Sequence, residues 1–436
     1  MKKLFDPDAL SEFARCYGFH YENIDTAALA EDALAEMERG LAGQESSLPM
    51  IPAYISPAAK TSPGRTVVAL DAGGTNLRAA LVSFDESGRA FATETRKAAM
   101  PGTSGRINAD VFFDEIAALA APLIEKAGAA AGLGFCFSYP MEITKDADGI
   151  LTAFSKEVDA PDVIGKAIGA SLRDALARRN ALVPERIVML NDTAATLLAG
   201  TGGILGESLT TPLLGFILGT GINIAYTEKR IPKIGFDSPD NPQIVVCETG
   251  NFAHHYTGLL DSEFDNTTKN PGAYTLEKAV SGAYLGPLTF HIIKQALRDS
   301  VFSFNRQDEF MALPTLHTKD LNAFLREGSG PLAELFGSGE RDAAASFMYV
   351  SSIVTQRGAT LAAAMLAAAV EKTGGGENPL APVRIAVEGT TYLVYKGMRA
   401  AIESHLHLML NKHRPRSYCI TVVEQASLLG AAAALR

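Results

Sequence analysis

The stretch Thr66-Val67-Val68-Ala69-Leu70-Asp71-Ala72-Gly73-Gly74-Thr75-Asn76-Leu77-Arg78 decides how the rest of the chain is read. Residues 66–70 are apolar and rich in β-branched side chains, the signature of a buried strand. Residues 71–76 form a glycine-rich turn, and 78–84 are a second strand candidate. The same grammar returns downstream, with a strand at 213–218, a tight turn at Gly219-Thr220-Gly221 and a strand at 223–226. Laid side by side, residues 70–76 and 218–223 suggest an internal duplication. Two ordinary hairpins account for that spacing equally well.

Outward from the first turn, residues 85–88 read as a turn and 89–97 as a third strand. A helix follows, with Asn108 or Asp110 as N-cap and Phe112, Ile116, Leu119 and Leu123 at helical spacing. Pro122 falls inside that pattern and is expected to kink or weaken it. A buried strand at 133–137, a helix around 161–177, a strand at 187–190 and a helix opened by Asn191-Asp192-Thr193 complete the order βββαβαβα. That order makes this half α/β. The second half has helices near 275–297 and 343–371, a loop at 373–379, a strand at 383–387 and an Ala-rich helix after Gln425. Upstream, residues to about 56 read as helix followed by an extended Leu48-Pro49-Met50-Ile51-Pro52.

A chain of 436 residues is too long for one ordinary core, so two packed lobes are expected. Hydrophobic residues at 47% and charged residues at 20% describe a soluble globular protein. A formal charge of -10 opposes a nucleic-acid surface, although backbone amides and a metal ion suffice for one nucleotide. Cys16, Cys136, Cys247 and Cys419 lie far apart, which speaks against a disulfide framework or zinc site and for a reducing compartment. The chain turns acidic at Asp6 before a signal-peptide core can form, and residues 359–370 are too short to span a bilayer. The expectation is a cytoplasmic protein with no membrane or nucleic-acid partner.

Two glycine turns facing one another would clamp a polyphosphate, because glycine lets backbone N–H groups approach phosphate oxygens. Gly73, Gly74, Thr75 and Asn76 belong to one turn, Gly219 and Thr220 to the other. Neither is a P-loop or a G-x-G-x-x-G fingerprint. Asp71 ends a buried strand before the glycines and reads either as a turn-former or as a magnesium anchor acting through water. Asn191-Asp192-Thr193 reads as plain N-capping or as a carboxylate at the floor of a cleft that takes a proton from an alcohol. Ser138-Tyr139-Pro140, Ser155-Lys156, Glu248 and Glu277 interrupt apolar surroundings. Sugars need such donors and acceptors at fixed angles, since each hydroxyl must replace the water it loses.

Taken together, these segments resemble the hexokinase family over nearly the whole chain. Residues 48–52 are similar to its lead-in to the first lobe, 70–78 to the first phosphate motif and 133–140 to the sugar-binding strand and loop. Residues 190–193 are similar to the catalytic segment and 218–223 to the second phosphate motif. Residues 248–250, and 276–278 with 281–286, resemble the segments carrying the two sugar-binding glutamates, and 387–392 the adenosine motif. The resemblance implies a two-lobed actin-like (ribonuclease H-like) fold with a duplicated βββαβα core. It places residues 64–195 and 425–436 in a small lobe, and 1–63 and 196–424 in a large one.

The implied reaction is ATP-dependent phosphorylation of a hexose at the 6-hydroxyl, chiefly glucose and also mannose or fructose, feeding glycolysis in a monomer or homodimer. By resemblance, Asp192 is the base and Lys156 stabilises transferring charge. Ser138, Ser155, Asn191, Asn223, Glu248 and Glu277 hold the sugar, and Asp71 helps hold Mg2+. Gly73, Gly74, Thr75, Asn76, Arg78, Gly219 and Thr220 line the phosphate path, with Gly389, Thr390 and Ser427 near the nucleotide. The chain departs from the family at Ala153-Phe154-Ser155-Lys156-Glu157-Val158, where Trp-Thr-Lys-Gly-Phe is usual. Thr249 follows Glu248 where Trp is usual, and no lysine occurs in residues 426–430. A non-catalytic sugar sensor and a kinase for another acceptor, such as an amino sugar, are the rival readings.

Overall fold

The computed structural model describes residues 4–57, 64–154, 158–201, 211–337, 339–412 and 415–435. Helices α1 (Pro7–Cys16) and α2 (Thr26–Leu41) lead into a short strand β1 (Ile51–Pro52). Asp6 and Asp25 cap the two helices, each carboxylate accepting two backbone N–H groups. The first half then runs β2 (Thr66–Ala72), β3 (Asn76–Phe84), β4 (Ala90–Ala99), α3 (Ala109–Ala127), β5 (Leu133–Phe137), the hairpin β6 (Met141–Ile143) and β7 (Gly149–Leu151), α4 (Ile168–Arg178), β8 (Ile187–Leu190) and α5 (Asp192–Ala199).

The second half contains β9 (Leu213–Leu218), β10 (Ile222–Glu228), the small pair β11 (Arg230–Ile231) and β12 (Phe236–Asp237), and β13 (Gln243–Val246). A helical block follows: α6 (Leu259–Asp265), α7 (Thr275–Val280), α8 (Leu285–Arg298), α9 (Gln307–Met311), α10 (Thr318–Glu327), α11 (Pro331–Leu335) and α12 (Arg341–Lys372). The chain ends with β14 (Val383–Glu388), α13 (Thr390–Val394), α14 (Met398–Lys412), β15 (Tyr418–Val422) and α15 (Ala426–Ala433).

Strand order settles the question of duplication. The first sheet is β4-β3-β2-β5-β8, with β2–β3 and β3–β4 antiparallel and β2–β5 and β5–β8 parallel. The second sheet contains β13-β10-β9-β14-β15 with the same directions in the same places, and β1 adds an edge strand beside β13. Parallel pairs need long crossovers, so this order repeated twice is a topology rather than two chance hairpins.

Central strand β2 is apolar throughout because both of its faces are covered. Val68 and Leu70 pack with Phe112, Ile116 and Leu123 of α3, whereas Val67 and Ala69 share a cluster with Leu428 and Ala431 of α15. In the second half α12 forms the core of the helical block. It is long and apolar enough to cross a bilayer by length and composition, but 94% of its apolar window is buried inside the protein.

Several elements differ from the sequence expectation. The first turn is shorter than 71–76, because β2 continues through Ala72 and β3 begins at Asn76. Helix α3 continues through Pro122, its buried face of Phe112, Ile116, Ala120 and Leu123 outweighing one missing N–H. The helix foreseen around 161–177 is a short 3-10 turn followed by α4. The helix foreseen at 275–297 is two helices, broken at Ser281–Gly282 where the backbone turns toward β9.

Candidate active site

A cleft of about 420 Å³ opens where the two halves meet. Ser138 after β5, Asn191 and Asp192 at the start of α5, Asn223 on β10 and Glu248 after β13 all line it. Asn191 and Asp192 divide two roles. The Asn191 side chain accepts the Ala194 N–H at 2.8 Å and is the helix cap. Asp192 is the first helical residue, accepts the Thr193 hydroxyl at 3.1 Å and lines the cleft. Capping therefore accounts for the asparagine and leaves the aspartate to the cleft.

Across the cleft Asn223 fixes Glu248. Its carbonyl oxygen accepts the Ile224 and Thr249 N–H groups at 2.8 and 3.1 Å, so its amide points outward and donates to Glu248 at 3.0 Å. Glu248 has a backbone φ of 57°, a left-handed conformation that costs a non-glycine residue about 1–2 kcal/mol. Such strain at a cleft-lining acid marks a side chain held for use. Burial raises its carboxyl above the usual range, the Asn223 amide opposes this, and the Asp192 charge adds to it.

Glu277 behaves differently. It is not among the residues lining the cleft, and its carboxylate sits behind the second glycine turn. A Cβ on Gly221 would lie 2.6 Å from its Oε2, and Ile222 donates its N–H there at 3.4 Å. Burial raises its carboxyl, the Ile222 N–H opposes the shift, and the Glu248 charge reinforces it. Ser155 and Lys156 lie outside the described residues.

The two glycine turns are held in different ways. Asp71, Gly73, Gly74, Thr75, Asn76 and Arg78 line a second hollow of about 310 Å³, joined by Lys97. Asp71 is buried on β2 and faces Arg78 in register on β3, which donates Nε to it at 2.8 Å. Tyr139 donates its hydroxyl to the Gly73 carbonyl at 2.8 Å, tying this turn to the segment that follows β5.

The second turn is held from behind. The Gly219 carbonyl accepts the Thr391 hydroxyl at 2.7 Å and the Gly282 N–H at 2.8 Å, and Thr220 accepts the Ala283 N–H at 3.1 Å. These bonds are why the chain breaks between α7 and α8. Gly389 stands against this turn with φ 125°, and a Cβ there would lie 2.3 Å from the Leu218 carbonyl. Thr390 is the exposed first residue of α13, while Ser427 is buried near the start of α15.

Sequence reasoning missed several contributors. Glu388, at the end of β14, has its carboxyl pushed up to about 7 by burial and then by the charges of Asp192 and Asp71; Arg78 and the Thr196 hydroxyl, 3.4 Å away, act against this. Its signal was present, because an acid ending a buried strand before glycine is the pattern that singled out Asp71. Met141, Ile143, Thr152 and Asn251 also line the cleft, and nothing in their local sequence marks them.

A strand order repeated in both halves, with an acidic polar cleft at their junction and a glycine turn from each half, is the layout of a two-lobed actin-like fold. Comparison with known proteins agrees. Two family models, each described as Hexokinase, match residues 12–201 and 213–435. Hexokinase-7 of Oryza sativa is 30% identical over 422 residues, covering 91% of this chain and 90% of that protein. Human Hexokinase-3 is 28% identical over 399 residues, 86% of this chain and 42% of that one. Among solved structures, the hexokinase from Schistosoma mansoni complexed with glucose superposes with a TM-score of 0.74 at 22% identity, covering 99% of both chains. The chain belongs to the hexokinase family.

Proposed function

We propose that the protein transfers the γ-phosphoryl group of ATP to the 6-hydroxyl of D-glucose, accepting mannose and fructose as well. The observation that carries this reading is Asp192 on the wall of one cleft with Ser138, Asn191, Asn223 and Glu248. Five polar side chains from both halves suit an uncharged ligand rich in hydroxyls, whereas Glu248 and Asp192 would repel a carboxylate acceptor. The glucose bound to the Schistosoma mansoni hexokinase supports the same substrate.

In this mechanism Asp192 accepts the hydroxyl proton as the oxygen attacks the γ-phosphorus, and the bond to the β–γ bridging oxygen breaks so that ADP leaves. Asn223 and Glu248 hold the sugar, and the cleft walls keep water away from the acceptor. By resemblance, Lys156 would stabilise the transferring charge. Among the described residues no group of three or more His, Cys, Asp or Glu is arranged to hold a metal ion directly. Magnesium keeps most of its waters and takes one or two carboxylates plus phosphate oxygens, and Asp71 borders the hollow with such a carboxylate. Asp71 would hold it through water, and when bound it would offset the phosphate charge. Arg78 and Lys97 border the same hollow.

A coupled ADP-release assay with ATP and magnesium tests the proposal against glucose, mannose, fructose, glucosamine and N-acetylglucosamine, with a no-sugar control. Sugar-dependent release that is fastest with glucose is expected. Release independent of sugar, or none with any hexose, would contradict it.

A further inference from the structure

The large lobe contains a second cavity, of about 320 Å³, between the segment that follows Asn251, helix α6 and helix α7. It shares no lining residue with the sugar cleft. Its size is at the lower end of the roughly 300–1,000 Å³ found for small-molecule sites.

The charges around it are already matched. Arg357, only 1% exposed, donates to both Asp261 oxygens at 2.5 and 2.6 Å, and the Gly258 N–H adds a third bond at 2.7 Å. Lys278 pairs with Asp265 and also donates to the Asn270 carbonyl at 2.6 Å. An ionic ligand would therefore bring an unmatched charge into the site.

What remains is neutral and polar. His254 lines the cavity and is 7% exposed, and neither of its ring nitrogens has a partner among the described residues. Burial holds its imidazole uncharged, with a pKa down to about 4, so it offers one donor and one acceptor. Thr257, Ser262, Asn266 and Thr275 line the cavity with hydroxyl and amide groups, and Phe264 adds an apolar ring. Hydroxyls, an amide, a neutral imidazole and one aromatic ring complement a compact molecule with many hydroxyls and an apolar C–H face.

We propose that this cavity is a second binding site, distinct from the sugar cleft, for an uncharged polyhydroxyl molecule of monosaccharide size. The bound hydroxyls supply the partners that the fold does not give His254. Lys278 of α7 lines it, and the preceding residue on that helix, Glu277, carries the carboxylate behind the second glycine turn.

Equilibrium dialysis of labelled D-glucose against the full-length protein, without ATP, tests this. The variants are His254→Phe, which fills the cavity, and Asn266→Leu, at an exposed lining position; thermal melts establish that each is folded. A glucose-binding event is expected that is weakened at least tenfold in both variants and left in place by Glu248→Gln, which weakens the cleft instead. This event is read by its response to the variants, so it stands whether or not glucose is the phosphoryl acceptor. The proposal is overturned if no glucose-binding event responds to either cavity variant in folded protein.

Discussion

The two halves share a strand order and use it differently. In the first, the glycine turn at 73–75 is held by the Tyr139 hydroxyl on the Gly73 carbonyl and the Met100 N–H on the Thr75 carbonyl, both from its own half, with Arg78 paired to Asp71. In the second, the turn at 219–221 is clamped by Thr391, Gly282 and Ala283 before any nucleotide arrives. The acids are placed differently too. Aligning Gly73 with Gly219 sets Asp71 against Ile217, and in the second sheet the carboxylate sits one strand over, on Glu388, the in-register neighbour of Ile217. The fifth strands also diverge, β8 leading to an Asn191 cap and Asp192, and β15 to Gln425 and Ala426. In the proposed mechanism the second copy supplies a wall, and the first supplies the acid at the reacting hydroxyl.

The largest test of that contrast converts one copy into the other. Asp192→Ala gives the first copy the helix start of the second, and should lower turnover by about two to four orders of magnitude, the usual worth of a positioned base. Sugar affinity should stay within a few-fold, because Asn191, Asn223 and Glu248 are untouched. Steady-state kinetics with a separate binding titration checks this; comparable turnover would take Asp192 out of the mechanism.

A second test concerns the displaced acid. Glu388 titrates near 7 in the folded protein against 4.5 in the ordinary case. Below about pH 4.5 both states are protonated and no penalty exists. As pH rises to about 7 the unfolded chain gives up its proton first, so the folded state loses stability, and the loss is complete above that. Glu388→Gln should be more stable than the parent at about pH 8, by up to about 3 kcal/mol, and nearly equal to it at about pH 4. Melting both proteins across this range decides it, and a difference independent of pH would contradict the cause given.

The smallest test compares the glycines. Gly389→Ala forces a Cβ against the Leu218 carbonyl at positive φ and should cost about 1–3 kcal/mol or more. Gly73→Ala meets only the Asn76 carbonyl at 3.7 Å and should stay within about 0.5 kcal/mol. Denaturant midpoints for the pair measure the difference between the turns; similar losses would erase it.

Much of this was legible in the sequence because its causes are local. Buried strands, glycine turns and the Asn191 cap follow from a few neighbouring residues, and each appears close to where it was expected. What escaped has a distant cause. Spacing could not separate duplication from ordinary hairpins, since the deciding pairs join β14 to β9 and β5 to β2 across long stretches of chain. The break at Ser281–Gly282 exists because Gly219 needs partners, and Pro122 stays helical because its neighbours pack on a sheet. The resemblance implies that Glu277 holds the sugar; that its carboxylate also lies against Gly221 and accepts the Ile222 N–H is a placement only the folded second turn reveals.

The central contrast, a wall fixed from behind against a turn that receives the phosphates, is tested most directly by amide hydrogen exchange at Gly282 and Ala283, which donate to the second turn, and at Gly74 and Thr75 of the first. With no nucleotide present, the Gly282 and Ala283 amides should exchange slowly and those of Gly74 and Thr75 quickly, and adding ATP with magnesium should slow the first turn far more than the second. Equal exchange in both turns, or protection appearing only in the second, would contradict the account.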